Sequence, residues 1–375
     1  MSAALRRIAA LVDQAVADGV CSAAAVAVDV DGAPALRHWA GVLQRIGDDG
    51  AELPAAERPP VRPDTCFDLA SVTKVYSAHT LLGLVAEGVL ALDAPVARWL
   101  PEYREGARSE VTLRHLLTHT SGLPAVWDGW REAVRRRAPD GAPPSAPDRR
   151  ALTADLAAVP LAAPPGTRWV YACTGYLTAM LLAERATGRP WAELVRRHTL
   201  DPLGLAATTF RPDRERTAAT EYQPEFGRGT VRGVVHDEAA WSLGGTAANA
   251  GLFAPLEDVL RFAEAIRRGE EERTAVWMWD DQLPSVLRPE AQRPPHGVSL
   301  GLRIGETAWM GPEGSACRGH TGFTGTSLQI DRARGVSVVL LTNRVHPTRE
   351  GRPVHPLRAA TATAALADFP AQQHF

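Results

Sequence analysis

The sequence has very little lysine. Among its 375 residues, lysine and arginine together number 41, and Lys74 is the only lysine. An arginine side chain stays protonated in proteins, whereas a lysine can give up its proton when its surroundings disfavour the charge. Because arginine serves at every other basic position, charge alone does not explain why position 74 kept a lysine. Lys74 is therefore a candidate for a chemical role.

Cysteine is also scarce, and long apolar runs are missing. Cys21, Cys66, Cys173 and Cys317 lie far apart with no C-x-x-C spacing, which is typical of free thiols in a reducing compartment. No run of about 18 uncharged apolar residues occurs, so the sequence predicts no membrane span. The first 19 residues have an amphipathic helical pattern that lacks the apolar stretch of a signal peptide. We therefore expect a cytoplasmic protein with no membrane partner.

The charge balance gives no sign of a nucleic-acid partner. The formal net charge is −2, which gives no reason to expect nucleic acid. With 45% hydrophobic residues, the chain is long enough to bury a large core.

Two β-hairpins are predicted, one near each end of the chain. Alternating valines from 26 to 30 precede a turn at Asp31 and Gly32, and extended runs flank a turn near Gly335. Helical patterns lie outside both hairpins, at Leu5 to Val16 and at 357–368. We therefore expect an α/β (α+β) protein in which an antiparallel sheet, built from both ends and flanked by terminal helices, carries a mostly helical inserted lobe.

The expected boundaries follow from that pattern. We predict a single domain over residues 1–375, with a sheet lobe from 1–66 and 295–375 and a mostly helical lobe from 67–294. Two stretches, 135–150 inside the helical lobe and 267–297 at its end, are rich in proline or polar residues and are predicted to be long loops. Such loops are either surface linkers or lids beside an active site.

Ser71 stands three residues before Lys74, in a helical pattern that ends at Gly88. Positions i and i+3 share a helix face, so the two side chains are expected to be neighbours. The first turn of a helix offers free N–H groups to an oxyanion, and a nearby base activates a serine hydroxyl. We predict that Ser71 is a nucleophile and Lys74 its base, provided that burial or a neighbouring cation lowers the pKa of the lysine. The alternative is a chance S-x-x-K with Ser71 as an N-cap, which leaves the lone lysine unexplained.

Two further motifs carry polar groups next to glycines. Tyr171 precedes Gly175 and another helical pattern, where a phenol can shuttle a proton if cations lie near it. In CRGHTGFTG, closely spaced glycines permit close backbone approach to a ligand. There His320 and Thr321 offer side-chain donors, and a backbone N–H just beyond Gly322 completes an oxyanion hole. A core aromatic and a glycine-rich strand entry are the structural alternatives.

In this order, the motifs SVTK, YAC and HTG resemble those of the serine beta-lactamase and penicillin-binding superfamily. The resemblance is to its class C beta-lactamase-like branch of esterases, D-aminopeptidases, DD-peptidases and acyltransferases. VTLRHLLTHTSGLP and LLTNRVHPTR are similar to other family segments, so the resemblance covers nearly the whole chain. It implies a beta-lactamase/transpeptidase-like fold and a covalent acyl-enzyme mechanism.

Roles for individual residues follow from the resemblance. It implies that Ser71 is the nucleophile, Lys74 its base partner and Tyr171 the general base and acid. His320 stands where the family usually has Lys or His in its third motif. The N–H groups of Ser71 and Phe323 would form the oxyanion hole, and the choice of Phe323 rests on the resemblance alone.

The second motif departs from the family pattern at Cys173, where relatives usually have Asn or Asp. In relatives, the amide of that Asn binds the acylamide of the substrate and contacts the catalytic lysine. A thiol is a much weaker hydrogen-bonding group. We therefore expect Cys173 to line an altered substrate pocket, and ester chemistry to suffer less than recognition of beta-lactams or peptides. A nucleophilic Cys173 is the alternative.

The expected function is acyl transfer from a small-molecule ester or amide to water, an amine or an alcohol, as an esterase, amidase or transacylase. A beta-lactamase or D-Ala-D-Ala carboxypeptidase is the alternative within the family. A catalytically inactive binding protein of the same fold is the alternative of another class. No cofactor is expected, since a pyridoxal phosphate Schiff base on Lys74 would leave Ser71 unexplained. No metal is expected either, because His115 and His119 lack the glutamate of H-E-x-x-H.

Overall fold

The computed structural model of the protein describes residues 2–131, 146–269 and 276–369. Its helices are α1 (Ala3–Ala17), α2 (Thr73–Ala86), α3 (Leu113–Leu117), α4 (Ala146–Ala158), α5 (Cys173–Thr187), α6 (Trp191–Val195), α7 (Glu238–Ser242), α8 (Leu256–Arg268), α9 (Leu283–Val286), α10 (Thr307–Met310) and α11 (His355–Asp368). Its strands are β1 (Ala23–Val30), β2 (Ala33–Gly41), β3 (Phe67–Asp68), β4 (Phe253–Ala254), β5 (Gly297–Val298), β6 (Arg303–Ile304), β7 (Arg318–Thr321), β8 (Ser327–Asp331) and β9 (Val336–Thr342). Across these described ranges, no helix combines the length and apolar character needed to cross a membrane.

The predicted antiparallel sheet is confirmed. Seven strands pair in the order β2-β1-β9-β8-β7-β6-β5, and all their pairings are antiparallel. Both predicted hairpins are present, and the turn between β1 and β2 places Asp31 and Gly32 at φ 50° and 79°. Two consecutive positive φ angles suit the tight turn that joins twisted strands. The pairing of β1 with β9 joins the two ends of the chain in one sheet.

Helices cover both faces of this sheet. Alternate residues of β9 point to opposite sides, as strand geometry requires. Val338 and Leu340 belong to the core beneath α1 and α11, whereas Val339 and Leu341 belong to the main core together with Phe262 of α8. The predicted terminal helices are therefore confirmed. The sequence did not reveal that α8, from the middle of the chain, covers the opposite face.

Helix α2 runs through the main hydrophobic core. The sequence suggested an apolar stripe at Leu81, Leu82 and Val85, but eleven of its fourteen residues are buried, including Lys74. A helix surrounded on all sides by protein is typical of the centre of a large domain. Its buried polar groups must therefore find partners inside the protein.

The two predicted loops are more ordered than expected where the structure describes them. Residues 132–145 lie outside the described part, but 146–150 form the start of α4. Within 267–297, helix α9 forms and Met278 is buried, while Trp277 and Trp279 pack against the main core. Packing of these partly buried tryptophan rings against the core anchors this otherwise polar segment.

Ile8 of α1 is fully buried against the sheet, so a cavity at this position should cost much of the stability of the protein. We expect Ile8→Ala to lower the free energy of unfolding by about 2–5 kcal/mol, measured by chemical denaturation. Arg7→Ala, on the exposed side of the same helix, is the control and should change it by less than about 0.5 kcal/mol. Equal effects of both substitutions would contradict this packing.

Candidate active site

Ser71 occupies a short 3-10 turn, Ala70–Val72, that leads directly into α2. Ala70 has φ 46°, which is rare for a residue with a side chain. The buried carboxylate of Asp68 accepts hydrogen bonds from the N–H of Ala70 at 2.8 Å and of His236 at 2.7 Å. Burial raises the pKa of this carboxyl, and the two N–H groups oppose that effect. Asp68 thus holds the strained turn that presents Ser71.

Lys74 lies beside Ser71, as the spacing predicted. Its Nζ donates to Ser71 Oγ at 2.9 Å and to the main-chain oxygen of Asn249 at 2.9 Å. The ring centroid of Tyr171 is 5.1 Å from the same nitrogen. A single tetrahedral nitrogen reaches all three groups from within a fully buried site. A planar guanidinium presents its donors in a fixed fork, so arginine does not suit this position.

The charge state of Lys74 differs from the expected one. Burial by itself lowers the pKa of the lysine, but Cys173, Tyr171 and Asp237 raise it, and the net direction is upward. Lys74 is therefore an ammonium group in the resting structure, and it donates to the Ser71 hydroxyl. The expectation of a lowered pKa overlooked the acidic groups that the fold brings around it.

Tyr171 lies immediately before α5, as expected. His119 holds this segment: its Nδ1 accepts a hydrogen bond from Ala172 N–H at 3.1 Å, and its ring centroid is 4.6 Å from that of Tyr171. Burial, Lys74 and Arg303 keep the pKa of His119 well below its usual value, so the imidazole is neutral. The guanidinium carbon of Arg303 is 5.0 Å from the Tyr171 ring centroid. Two cations, Lys74 and Arg303, thus flank the phenol.

The histidine pair that resembled a metal site has structural roles. His115 Nδ1 lies 3.1 Å from Thr112 Oγ1 in the capping box of α3. His119 lies beyond the end of this helix with φ 63°, so the two histidines do not share a helix face. In the described ranges, no three His, Cys, Asp or Glu side chains cluster in a way that would hold a metal ion.

His320 is buried behind the cavity wall and does not supply the donor expected from the sequence. Its Nδ1 lies 2.8 Å from the main-chain oxygen of Thr321. A carbonyl oxygen can only accept, so Nδ1 carries the proton. Burial, Arg303 and Lys74 hold the pKa of His320 well below its usual value, so the ring is neutral and Nε2 is left as an acceptor.

The segment after β7 packs directly onto the Ser71 turn. Thr326 Oγ1 donates to the main-chain oxygen of Leu69 at 2.9 Å. A Cβ at Gly322 would lie 2.5 Å from that oxygen and 3.3 Å from Ala70 Cβ, so only glycine fits. Within the described part of the chain, the N–H groups of Ser71 and Phe323 donate to no other protein group. They are available for a ligand.

A cavity of about 570 Å³ opens in front of these groups. Ser71, Tyr171, Cys173, Thr321, Gly322 and Phe323 line it, so six of the eight predicted site residues face one space. Lys74 and His320 lie behind its wall. Part of the wall is apolar, formed by Val126, Trp127, Trp130 and Leu177. Another part is basic, formed by Arg303, Arg344, Arg349 and Arg358.

Several residues of this site were not predicted from the sequence. Asn249 contacts Lys74 through its main chain, and its side chain donates to Asp237 at 3.1 Å. Asp68 holds the adjacent Ser71 turn and also contacts the distant His236, and Arg303 lies against Tyr171, which is far from it in sequence. A main-chain contact leaves no signal in residue type, and one of 40 arginines does not stand out. The lysine at position 74 did stand out because it was the only one.

Comparison with known proteins gives concordant results. The sequence model of the Beta-lactamase family matches residues 8–363. Esterase EstB of Burkholderia gladioli is 35% identical over 337 residues, covering 78% of this chain and 81% of that protein. A putative D-alanyl-D-alanine carboxypeptidase of Escherichia coli (strain K12) is 29% identical over 310 residues, covering 75% and 70%. The structure of EstCE1, a hydrolase with promiscuous acyltransferase activity, is similar with a TM-score of 0.72 at 22% identity, over 96% of this chain and 98% of that one.

The cavity predicts selective labelling of one thiol. Cys173 is partly exposed, whereas the other three cysteines are buried free thiols. Burial raises the pKa of Cys21 to about 12, of Cys66 to about 11 and of Cys317 to about 12. We expect iodoacetamide to modify Cys173 alone in the native protein, as measured by peptide mass spectrometry, because thiolates react and buried thiols do not. Cys173→Ser should abolish labelling; modification of another cysteine in the folded protein would contradict the described burial.

Proposed function

Because the chain belongs to the Beta-lactamase family, we propose that it is an acyl-transfer enzyme that acts through a covalent intermediate on Ser71. Its substrate would be a small-molecule ester or amide, and the acyl acceptor would be water, an amine or an alcohol. The observation that carries the proposal is the 2.9 Å hydrogen bond from the buried Lys74 ammonium to Ser71 Oγ, at the wall of a cavity of about 570 Å³. The free thiols fit the reducing cytoplasm as the proposed location.

The proposed first step is attack of Ser71 Oγ on the substrate carbonyl carbon. The oxygen of Tyr171, when ionised, accepts the serine proton while Oγ forms the new bond. Lys74 remains protonated and stabilises the charge that moves between the two oxygens. The carbonyl oxygen becomes an oxyanion, which the N–H groups of Ser71 and Phe323 stabilise by hydrogen bonds.

Collapse of this intermediate breaks the bond to the leaving group. Tyr171 returns the proton to the leaving oxygen or nitrogen, and the acyl group stays on Ser71 as an ester. Water, an alcohol or an amine then attacks the acyl carbon, with Tyr171 taking the proton of the nucleophile and passing it back to Ser71 Oγ. The residues and the number of protons are the same in both halves of the cycle.

Ester substrates are favoured over beta-lactams and peptides by the residue at position 173. Cys173 lines the cavity at the start of α5. Relatives usually have Asn or Asp at this position. A thiol is a poor hydrogen-bonding partner for an acylamide. The similarity to an esterase supports this choice, whereas the carboxypeptidase relative favours the alternative of peptide hydrolysis.

The acyl-enzyme is tested by intact-protein mass spectrometry after brief exposure to activated acyl esters, a fluorophosphonate and penicillin. We expect one adduct per chain from an ester or the fluorophosphonate, and none with Ser71→Ala, which lacks the nucleophile. Lys74→Arg should slow acylation by at least about 10³-fold, because a planar guanidinium cannot replace the tetrahedral ammonium that contacts both Ser71 Oγ and the Asn249 main chain in this buried site.

Circular dichroism and the melting temperature establish that both variants fold. Near-normal acylation of Lys74→Arg would show that any positive charge suffices at this position, and would contradict the need for a tetrahedral ammonium group. Failure of every probe with folded wild-type protein would instead favour an inactive binding protein of the same fold. The decay of the adduct with and without added amines or alcohols distinguishes a hydrolase from a transacylase.

The alternative substrate class is tested with Cys173→Asn, which restores the amide typical of relatives. We expect ester turnover to stay within about tenfold, because a simple ester has no acylamide group for the residue at position 173 to bind. Acylation by penicillin should become faster, measured as the rate of adduct formation. An unchanged penicillin rate would mean that position 173 has no part in acylamide recognition.

A further inference from the structure

Arg358, on α11, lies behind the loop that follows β7. Its side chain is almost fully buried, and Nη2 donates to the main-chain oxygens of Gly322 at 2.7 Å and Thr326 at 2.8 Å. No carboxylate of the described residues forms an ion pair with it. Its positive charge is therefore held by two uncharged carbonyl groups.

Holding a cation in this position is costly. Burial, together with the nearby Arg344 and Arg303, lowers the pKa of Arg358 to about 9, and Glu306 opposes these effects only in part. A buried charge that lacks a partner of opposite sign normally destabilises a folded protein. Because the buried Arg358 charge is costly, we expect this residue to have a role other than stabilising the fold.

The loop does not need Arg358 to satisfy its carbonyl groups. Gly322 O also accepts a hydrogen bond from Gly325 N–H at 3.1 Å, and Thr326 O accepts one from Gly322 N–H at 2.7 Å. Both oxygens would keep a partner if the arginine were removed. Arg358 therefore adds positive charge to an already closed turn.

One of these carbonyls belongs to a group with a proposed catalytic role. Gly322 C=O and Phe323 N–H are the two ends of a single planar peptide unit, and in a trans peptide they point in opposite directions. With its oxygen held by Arg358, the unit directs the Phe323 N–H to the side away from the arginine. A cation at the oxygen also withdraws electrons from the amide and makes its N–H a stronger donor.

We propose that Arg358 orients and polarises the Gly322–Phe323 peptide, and so strengthens Phe323 N–H as a donor to the oxyanion. Arg358 is then a positioning residue, which acts through the peptide and not on the substrate itself. The inference rests on the proposed acyl-enzyme function and on Phe323 N–H as one of its two oxyanion donors.

The test compares Arg358→Met and Arg358→Lys with wild type, using the burst of p-nitrophenol to measure the acylation rate constant and the apparent substrate affinity. One substrate is the neutral p-nitrophenyl acetate, and the other is p-nitrophenyl hemisuccinate, which carries a carboxylate. Removal of a whole oxyanion donor costs about 10²–10³-fold in rate, so we expect a loss of about tenfold to hundredfold for Arg358→Met. The loss should be the same for both esters and leave affinity within about threefold, and Arg358→Lys should recover part of it.

Arg332→Met is the matched control. Arg332 also donates to two main-chain oxygens, those of Arg267 at 2.8 Å and Ile266 at 3.0 Å, but it does not line the cavity. We expect it to leave the acylation rate unchanged. Arg358→Met should keep its melting temperature within about 3 °C of wild type, because both carbonyls retain partners. The carbonyl stretch of its trapped acyl-enzyme should move to higher frequency, as expected for a weaker hydrogen bond to that oxygen.

Three results would overturn the inference. A loss confined to the hemisuccinate, seen in affinity, would mean that Arg358 binds a substrate anion directly. A wild-type acylation rate and carbonyl frequency in Arg358→Met would exclude polarisation of the peptide. A large fall in melting temperature with equal activity losses in the methionine and lysine variants would indicate a purely structural role. If wild type itself shows no burst that depends on Ser71, the proposed function fails, and that result is separate from these three.

Discussion

The structure depends on one constraint, the burial of the Lys74 ammonium group inside the main core. A buried charge must be surrounded by groups that compensate for lost hydration. The compensating groups come from separate parts of the chain: Ser71 in the preceding turn, the Asn249 main chain and the Tyr171 segment. Assembly of the core around α2 thus brings the Ser71 hydroxyl and the Tyr171 phenol to the same cation. The contacts that compensate the buried charge are therefore the same contacts that position these two side chains.

A second set of contacts fixes the surroundings of Ser71. Asp68 holds the turn and the neighbouring His236 segment, and its main-chain oxygen accepts a hydrogen bond from Thr324 Oγ1 at 2.7 Å. Thr326 makes a parallel contact to Leu69. The Ser71 turn and the loop after β7, which would supply the oxyanion donor, are therefore held together by direct hydrogen bonds. Such preorganisation lets the donors act without rearrangement during reaction.

The sequence predicted the features that depend on residue type and short spacing. The hairpins followed from alternating valines and turn residues, and the Ser71 and Lys74 contact followed from i,i+3 geometry. It did not predict α8 against the sheet or the ordered segment around Met278, because these depend on which distant surfaces meet. The charge state of Lys74 also escaped it, since the upward pKa shift comes from Cys173 and Tyr171, about 100 residues away in sequence. The effect of residues far apart in sequence on a pKa can be found only from the three-dimensional structure.

The pairing of β1 with β9 has a consequence for how the protein is made. Val26 pairs with Leu340, so the central sheet joins segments separated by most of the chain. During synthesis Ser71, the proposed nucleophile, emerges well before the segments that bear Phe323 and Arg358. Contacts of such high sequence separation form slowly, and the early part of the chain has to wait for them. A nascent chain stopped before β9 would carry Ser71 and Lys74 without the sheet that organises their surroundings.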